Sequence, residues 1–282
     1  MISLSDRLSA ALKEDGFHHD VTTLFFVEEK SIGQAAIIAK DEGVFCGATL
    51  LSTLNELLAQ SFHIDINFQD GQAFNVSDCL AILTGPIASA LSIERVMLNL
   101  LQRSCGIASL TQRYVQALDD TAIRILDTRK TLPLWRDLDR LAVKAGGGFN
   151  HRFNLSDMML IKENHLHALH QKNGLSSLPK LLSRFREGHP SLKIEMEIET
   201  VKQLQSFDLK DLDYLLLDHF SLSDLDFAIT YCQNYYPKIH LEVSGNITLD
   251  NIHRYRGKAI QRISCGALTH SVPACDLSFL MQ

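Results

Sequence analysis

Six short apolar runs, separated by longer amphipathic segments, constrain the fold of this chain more than any other feature. They lie between residues 122 and 266 and read AIRILD, MMLIK, KIEMEIE, DYLLLD, IHLEVSG and IQRISCG. Strands with near-continuous apolar sequence are buried on both faces, and helical crossovers join such strands into a parallel sheet. This number of strand–helix units predicts an α/β barrel rather than an open sheet.

The first 110 residues follow a different pattern. An amphipathic opening helix precedes the alternating stretch GQAAIIAKDEGVFCG and turn-bounded pieces such as LTGPIAS, which together predict an α+β domain. Helical spacing then runs from Leu91 to about Leu118, and we expect Gly106 to interrupt it. The predicted domains are therefore residues 1–110 and a barrel over residues 111–270, with the tail 271–282 returning to the first domain.

Composition and charge exclude several classes of protein. Apolar residues make up 46% and charged residues 21%, which is typical of globular proteins and excludes disorder or low complexity. The 27 lysines and arginines against 33 aspartates and glutamates give a net charge of −6, so no global basic field attracts nucleic acid or an anionic membrane. Six cysteines without a CxxC pair argue against a disulfide scaffold or a zinc ribbon. Because no run resembles a leader or a membrane span, we expect a cytoplasmic protein.

Polar residues follow the apolar runs. In an α/β barrel the carboxyl ends of all strands meet at one face, so side chains far apart in the sequence converge on one pocket. Turn formation and helix capping explain any single one of these residues, but not paired charges at four consecutive ends. The residues are Asp127, Arg129, Lys130, Lys162, Glu197, Glu199, Asp218, Ser244, Gly245, Gly266 and His270.

The segment from residue 124 to residue 162 carries a local excess of positive charge, with eight basic and four acidic residues. Part of it reads as a solvated helix face, since Arg136, Arg140 and Lys144 fall at helical spacing. The basic residues at strand ends and beside the glycine-rich stretch AGGGFNHRF instead favour an anionic ligand, because guanidinium groups bind carboxylate or phosphate in a bidentate manner. They are Arg129, Lys130, Arg152 and Lys162. The later segments VSGNITLDN and SCGALTH each follow a predicted strand, and their backbone amides would suit the binding of a terminal phosphate.

Acidic side chains are predicted at the same face. Glu197 and Asp218 would suit Mg²⁺ and sugar hydroxyls, since Mg²⁺ usually takes one or two carboxylates together with waters and phosphate oxygens. An internal ion pair with Lys130 or Lys162 is the competing interpretation for one of them. Strand alternation puts Glu195, Glu197 and Glu199 on one side, so periodicity alone does not decide which of them faces the ligand.

Beyond these local patterns, the chain closely resembles the quinolinate phosphoribosyltransferase family. The resemblance is strongest over ILDTRKTLPLWRDLDRLAVKAGGGFNHRFNLSDMMLIKENHL and extends to DVTT, DGQAFNVSDCLAILTGP, SIERVMLNLLQRSCGIAS, IEMEIETVKQL, YLLLDHF, EVSGNIT and SCGALTHSVPACDLS. Essentially the whole chain is covered. The resemblance implies an N-terminal α/β sandwich-like domain followed by an incomplete, seven-stranded α/β barrel, in a homodimer or a multiple of it.

The resemblance also implies a reaction and a set of roles. Quinolinate and phosphoribosyl pyrophosphate would give nicotinate mononucleotide, pyrophosphate and CO₂, with Mg²⁺, in NAD biosynthesis. Quinolinate would be held by Arg95 of a neighbouring subunit and by Arg129, His151 and Arg152. The catalytic set would be Lys130, Lys162, Glu197 and Asp218, with the two carboxylates engaging the ribose and Mg²⁺, directly or through water. The 5-phosphate would be bound by Ser244, Gly245, Asn246, Gly266 and His270.

Two positions depart from the family pattern. Leu134 replaces a glycine, and Trp135 follows it in TLPLWR; if that glycine needed a positive φ, we expect the loop to be rebuilt. Asn154 stands where a glycine is common, and asparagine tolerates the left-handed region.

Three alternatives remain from the sequence. A related protein of molybdate-uptake gene clusters shares the fold, but its motifs diverge around the RKT and NHR segments. A nicotinate-specific transferase is a second alternative, but it would need no clamp for a second carboxylate, so the set of arginines argues against it. A catalytically silent binding protein for a pyridine dicarboxylate or a phosphosugar would not need the whole charged set.

Overall fold

The computed structural model describes residues 2–282, which form twelve strands and ten α-helices. The strands are β1 (Ile32–Ala39), β2 (Gly43–Val44), β3 (His63–Ile66), β4 (Ala73–Phe74), β5 (Cys79–Pro86), β6 (Arg124–Leu126), β7 (Met158–Ile161), β8 (Lys193–Ile198), β9 (Tyr214–Asp218), β10 (His240–Ser244), β11 (Arg262–Ser264) and β12 (Leu277–Met281). The helices are α1 (Leu4–Glu14), α2 (Val21–Phe26), α3 (Ala48–Leu57), α4 (Ile87–Leu118), α5 (Arg136–Ala145), α6 (Glu163–Asn173), α7 (Leu178–Gly188), α8 (Val201–Ser206), α9 (Leu222–Tyr235) and α10 (Ala267–His270).

The chain divides into two units. The N-terminal unit comprises the residues up to Arg113 together with Thr131–Gly148 and Leu268–Gln282, and the parallel-sheet unit comprises Tyr114–Lys130 and Phe149–Ala267. The segment 131–148, which contains α5, thus groups with the N-terminal unit although the sequence division places it within the barrel.

The N-terminal unit is built on a four-stranded antiparallel sheet with the order β12-β1-β5-β3. Leu8 and Leu12 of α1 and Leu50, Leu51 and Leu54 of α3 are buried in one apolar core with residues of this sheet. The start of α1 follows from its cap, because the Ser3 hydroxyl accepts a hydrogen bond from the Asp6 amide at 3.0 Å. The C-terminal tail returns to the sheet as β12, which pairs with β1.

Helix α4 corrects one sequence prediction, because it runs without a break through Gly106. A Cβ atom at Gly106 would collide with the Pro273 carbonyl oxygen of the C-terminal tail. The tail is held at this point by a hydrogen bond of 3.0 Å from the Cys275 amide to the Gln102 carbonyl. The glycine therefore serves close packing rather than helix termination.

The six apolar runs form the six strands of the parallel-sheet unit, in the order β6-β11-β10-β9-β8-β7. This confirms the predicted parallel sheet. In the seventh position, next to β6, the structure has a single parallel bridge between Leu126 and Phe149 rather than a full strand. When that bridge is counted as a strand position, the order of the strands around the sheet is the same as their order along the chain. The sheet is open between Phe149 and β7.

The sheet is rolled into an incomplete barrel. His151 lies two residues after the bridge, yet its Nε2 is 3.2 Å from carboxylate oxygens of Glu195 on β8 and of Glu242 on β10. Arg152 Nη1 donates to the Met158 carbonyl at 3.1 Å and so spans the opening to β7. Helices α6 to α9 belong to the later crossovers, whereas the fully described stretch 150–157 contains none. Among residues 2–282, no helix combines the length and the apolar character needed to cross a membrane.

Candidate active site

The parallel strands bring most of the predicted site residues to one edge of the parallel-sheet unit, because each of these residues lies at or just beyond a carboxyl end. Arg129 and Lys130 follow β6, Lys162 follows β7, and Glu197 is the penultimate residue of β8. Asp218 and Ser244 are the last residues of β9 and β10, and they are neighbours in the sheet register. Arg95 on α4 and His270 at the end of α10 belong instead to the N-terminal unit, where the Arg95 side chain is 60% exposed.

Lys162 and Glu197 form an ion pair at this edge. The sequence left open whether one of the two predicted acidic ligands is internally paired, and the structure pairs Glu197 with Lys162. Burial raises the pKa of Glu197 and outweighs the lowering by Lys162, while the charge of Asp218 raises that pKa further. Asp218 acts on Glu197 because the two residues lie at the carboxyl ends of the neighbouring strands β9 and β8. Asp218 is also 2.8 Å from Nδ1 of His219.

Arg129 and Arg152 concentrate positive charge near the opening of the barrel. Burial lowers the pKa of Arg152, and the charge of Arg129 lowers it further. An anion that binds beside the two guanidinium groups would offset the unfavourable effect of the Arg129 charge on Arg152. This arrangement suits a substrate carboxylate or phosphate.

His151 belongs to a buried cluster with Glu195, Glu242 and Arg262. Its Nε2 is 3.2 Å from Glu195 Oε2 and from Glu242 Oε1, and Arg262 Nη1 is 3.1 Å from Glu242 Oε2. Burial alone would lower the pKa of His151, but hydrogen bonds and charge from the two glutamates outweigh it and raise the pKa to about 9. Burial and the charge of Glu242 also raise the pKa of Glu195. The cluster therefore retains one extra proton at neutral pH.

The Arg152 amide determines which nitrogen of the His151 ring carries a hydrogen. It donates a hydrogen bond of 2.7 Å to Nδ1 of His151, which requires a lone pair on Nδ1. The ring proton is then on Nε2, directed at the glutamates, and the extra proton belongs to the cluster of His151, Glu195 and Glu242. One ligand atom from each of His151, Glu195 and Glu242 lies within 4.8 Å of the others, but a protonated Nε2 is not a metal ligand.

The contacts of the His151 ring bear on the quinolinate-binding role that the resemblance implies for this residue. Both ring nitrogens are engaged by groups of the same unit, Nδ1 by the Arg152 amide and Nε2 by the glutamates. His151 thus connects the buried carboxylates to the backbone of Arg152. Sequence reasoning missed Glu242 and Arg262, although a glutamate in the middle of the run IHLEVSG is a recognisable signal of a buried charge.

The loop after β10 combines tight backbone with polar groups. Gly245 and Asn246 have φ values of +95° and +52°, both in the left-handed half of conformational space. A Cβ atom at Gly245 would lie 2.7 Å from the His219 amide nitrogen, so glycine permits the loop to pass the end of β9. The His219 amide donates to the Ser244 carbonyl at 2.9 Å and fixes this approach.

The two departures from the family pattern have different outcomes. Leu134 adopts a φ of +71°, so the loop has a left-handed residue at this position although leucine stands there. Arg7 of α1 donates to the Leu134 carbonyl, and its guanidinium lies 5.2 Å from the centre of the Trp135 ring, which packs against the core of the N-terminal unit. Asn154 is not left-handed; its side chain accepts hydrogen bonds from the amide and hydroxyl of Ser156.

Comparison with known proteins agrees with this geometry. Family models described as the N-terminal and C-terminal domains of quinolinate phosphoribosyl transferase match residues 20–105 and 107–280. A probable nicotinate-nucleotide pyrophosphorylase (carboxylating) from Bacillus subtilis is 37% identical over 279 residues, covering 98% of this chain and 93% of the relative.

Solved structures give the same result. The crystal structure of NadC from Streptococcus pyogenes has a TM-score of 0.87 and 36% identity, covering 98% of this chain and 95% of the other. Nicotinate-nucleotide pyrophosphorylase from Ehrlichia chaffeensis has a TM-score of 0.89 and 30% identity, covering 100% and 99%. With both domains matched in order and nearly the whole length aligned, this chain belongs to the quinolinate phosphoribosyltransferase family.

Proposed function

We propose that this protein converts quinolinate and phosphoribosyl pyrophosphate to nicotinate mononucleotide, pyrophosphate and CO₂, as a step of NAD biosynthesis. The observation that carries the proposal is the pairing of two charge types at one edge of the sheet. Lys162, Glu197 and Asp218 form one group, and Arg129 with Arg152 forms the other. A dianionic pyridine and a phosphorylated sugar require such a combination of cations and carboxylates.

Quinolinate binding rests on the arginines. Arg129 and Arg152 hold one carboxylate in the barrel, and Arg95 from the partner copy holds the other, so the functional unit is a homodimer with shared sites. The exposure of Arg95 on α4 supports this role, because 60% of its side chain is accessible in a single chain. His151 supports Arg152 from behind through the bond between Nδ1 and the Arg152 amide.

Bond cleavage at the ribose rests on the lysines and the acidic pair. Breaking the bond between C1 and pyrophosphate leaves positive charge on the ribose and negative charge on the leaving group. Lys130 and Lys162 stabilise the leaving group, and such preorganised charges are often the largest contribution to catalysis. Glu197 and Asp218 engage the ribose hydroxyls and stabilise the positive charge of the sugar. The reaction needs no nucleophilic side chain, because the pyridine nitrogen attacks C1.

The donor set at the ends of β8 and β9 fits Mg²⁺. The charge of Asp218 raises the pKa of Glu197, and each of the two residues would provide carboxylate oxygen to an ion that takes one or two carboxylates, waters and phosphate oxygens. When bound there, Mg²⁺ would neutralise charge on the pyrophosphate. The 5-phosphate would be bound by the loop of Ser244, Gly245 and Asn246, together with Gly266 of the same unit.

Decarboxylation follows formation of the glycosidic bond. Once the pyridine nitrogen is quaternary, its positive charge stabilises the electron pair that is left on the adjacent ring carbon when the carboxylate departs as CO₂. A proton, ultimately from solvent, then takes the place of the carboxylate on that carbon. The enzyme contributes orientation of that carboxylate and exclusion of water, since a fixed geometry lowers the entropic part of the barrier.

An end-point assay tests the proposal. Purified protein is incubated with Mg²⁺, phosphoribosyl pyrophosphate and either quinolinate or nicotinate, and the mononucleotide is identified by mass spectrometry. We expect nicotinate mononucleotide from quinolinate alone. Product from nicotinate alone would contradict the two-carboxylate clamp, and absence of product with retained quinolinate binding would indicate a silent binding protein.

A further inference from the structure

Charged side chains occupy the interior of the parallel-sheet unit, where an α/β barrel normally has branched apolar ones. Glu195 and Glu242 are completely buried, and the Arg262 side chain beside them is 17% exposed. Removing charges from water costs much of what their attraction gains, so a buried ion network adds little stability compared with apolar packing. Stability therefore does not explain these charges, and their contacts indicate another role.

Arg262 holds Glu242 in place from the amino end of the barrel. It is the first residue of β11 and is aligned with Glu242 of β10 in the sheet register. Its Nη1 is 3.1 Å from Glu242 Oε2, and its Cζ lies 3.5 Å from the centre of the Tyr214 ring at the start of β9. The Ser264 hydroxyl donates a further hydrogen bond to Glu242. A planar guanidinium held by an aromatic face and a carboxylate is a rigid anchor.

Glu242 connects this anchor to His151. One oxygen of its carboxylate, Oε2, faces Arg262, and the other, Oε1, is 3.2 Å from Nε2 of His151. Glu195 Oε2 lies at the same distance from Nε2, so the imidazole ring is directed at both carboxylates. The orientation of the His151 ring therefore depends on a carboxylate that Arg262 holds.

His151 in turn connects the interior of the barrel to Arg152. Its Nδ1 accepts a hydrogen bond of 2.7 Å from the Arg152 amide, which fixes the backbone at that residue. At the other end of the same residue, Nη1 of Arg152 donates to the Met158 carbonyl at 3.1 Å. A continuous series of contacts thus runs from the amino end of the barrel to the guanidinium group at its opening.

We infer that Glu242 and Arg262 are positioning residues for Arg152 and thereby determine the affinity for quinolinate. This role rests on the proposed function, in which Arg152 binds a carboxylate of quinolinate. Glu242 precedes the carboxyl end of β10 by two residues and Arg262 begins β11, so both act through Arg152 and not by contact with substrate. A guanidinium binds a planar carboxylate well only in a defined orientation, and a mobile one loses more entropy on binding.

Steady-state kinetics of Arg262→Met test this role. The KM for quinolinate should rise roughly tenfold to a hundredfold, the scale known for outer residues that orient metal-binding side chains. The kcat and the KM for phosphoribosyl pyrophosphate should stay within about threefold, because lost binding of ground state and transition state alike raises KM alone. Arg262→Lys keeps the charge but not the planar fork, so its KM should lie between the two.

A double variant guards against misfolding. Arg262→Met leaves the buried Glu242 without its arginine, which is destabilising by itself. Glu242→Gln combined with Arg262→Met removes both charges and still removes the anchor, so its KM for quinolinate should rise as well. An unchanged KM for quinolinate in the folded double variant would overturn the inference.

Arg186→Met is the matched control for loss of stability. Arg186 pairs with Asp213 at 2.6 Å and donates to the carbonyls of Leu192 and Asp211 at 2.9 Å, so it too holds a carboxylate and backbone of the parallel-sheet unit. None of these contacts leads to His151. Arg186→Met should lower the thermal stability and leave the KM for quinolinate unchanged. An equal rise of that KM in Arg186→Met and Arg262→Met would overturn the inference.

Calorimetric titration with quinolinate alone separates this role from the proposed function. The dissociation constant should rise in Arg262→Met by the same factor as KM. If the unsubstituted protein binds quinolinate but forms no mononucleotide, the proposed function fails, while a raised dissociation constant in Arg262→Met still supports the positioning role. Absence of quinolinate binding by the unsubstituted protein would overturn both.

Discussion

At the scale of single residues, Leu134 carries a conformational cost. Its φ of +71° lies in the left-handed region, which costs a residue with a Cβ atom roughly 1–2 kcal/mol. The residue is kept there by its surroundings, since Arg7 binds the Leu134 carbonyl and pairs with Asp137 of α5. The loop between Lys130 and α5 is therefore stabilised by its contacts with Arg7 of α1, and not by a glycine at position 134.

The first prediction concerns this residue. Leu134→Gly should raise the free energy of unfolding of the N-terminal unit by about 1 kcal/mol, because glycine adopts a positive φ without strain. Leu132→Gly is the control: Leu132 is a partly exposed leucine of the same loop without a positive φ, and its replacement should lower the free energy of unfolding. Denaturant titration measures both. Equal effects of the two changes would contradict the strain argument.

The second prediction concerns the proton of the His151 cluster. The raised pKa of His151 means that the native state holds a proton which the unfolded chain loses above about pH 6.5. Its stabilising contribution is complete below pH 6.5 and is lost as the pH rises towards 9, with a slope of about 1.4 kcal/mol per pH unit. Glu195→Gln removes one of the two carboxylates that raise the pKa of His151, so it should flatten this part of the stability profile.

Thermal unfolding between about pH 6 and about pH 9.5 checks this result, because that range spans the titration of the group in both states. Glu199→Gln serves as the control, because Glu199 follows the same strand but is exposed. It should leave the profile as in the unsubstituted protein. An undiminished slope in Glu195→Gln would show that the proton is held elsewhere.

At the scale of elements, helix α4 shows how packing overrides local propensity. A glycine inside a helix normally weakens it by about 1 kcal/mol relative to alanine. At Gly106 the absence of a side chain allows the C-terminal tail to approach the helix, and the tail supplies β12 to the sheet. The sequence pattern suggested a break because spacing and propensity describe α4 in isolation and carry no information about the tail.

The third prediction follows from this packing. Gly106→Ala should destabilise the N-terminal unit by about 2 kcal/mol, because the new methyl group meets the Pro273 carbonyl and Val272. Gly188→Ala, at the end of α7, is the matched control, since a Cβ atom there has no neighbour within 4 Å. Its effect should be neutral or stabilising. A stabilising effect at Gly106 as well would mean that helix propensity dominates and that the tail moves aside.

At the scale of the whole molecule, the sequence predicts the parallel sheet well because buried strands must be apolar along their full length. It also predicts which residues meet, since parallel strands place Lys162, Glu197 and Asp218 at one edge. It does not predict the buried cluster around His151, because the partners on β8 and β10 become neighbours only when the sheet rolls. The single bridge at Phe149 and the grouping of residues 131–148 with the N-terminal unit likewise depend on contacts distant in sequence.

We propose that the groups at the carboxyl edge of the sheet carry out a decarboxylating phosphoribosyl transfer. The most direct test measures release of labelled CO₂ from quinolinate labelled at the carboxylate next to the nitrogen, together with nicotinate mononucleotide. Lys162→Met and Lys193→Met form a matched pair, because Lys193 pairs with Asp213 at the opposite end of β8, at 2.8 Å.

We predict one CO₂ per mononucleotide for the unsubstituted protein and for Lys193→Met. Lys162→Met should lose activity by a factor on the order of 1,000, the scale expected when a preorganised charge is removed from a transition state. Activity of Lys162→Met within tenfold of the unsubstituted protein would show that Lys162 is not needed for the transfer, and mononucleotide formed without CO₂ would exclude a decarboxylating reaction.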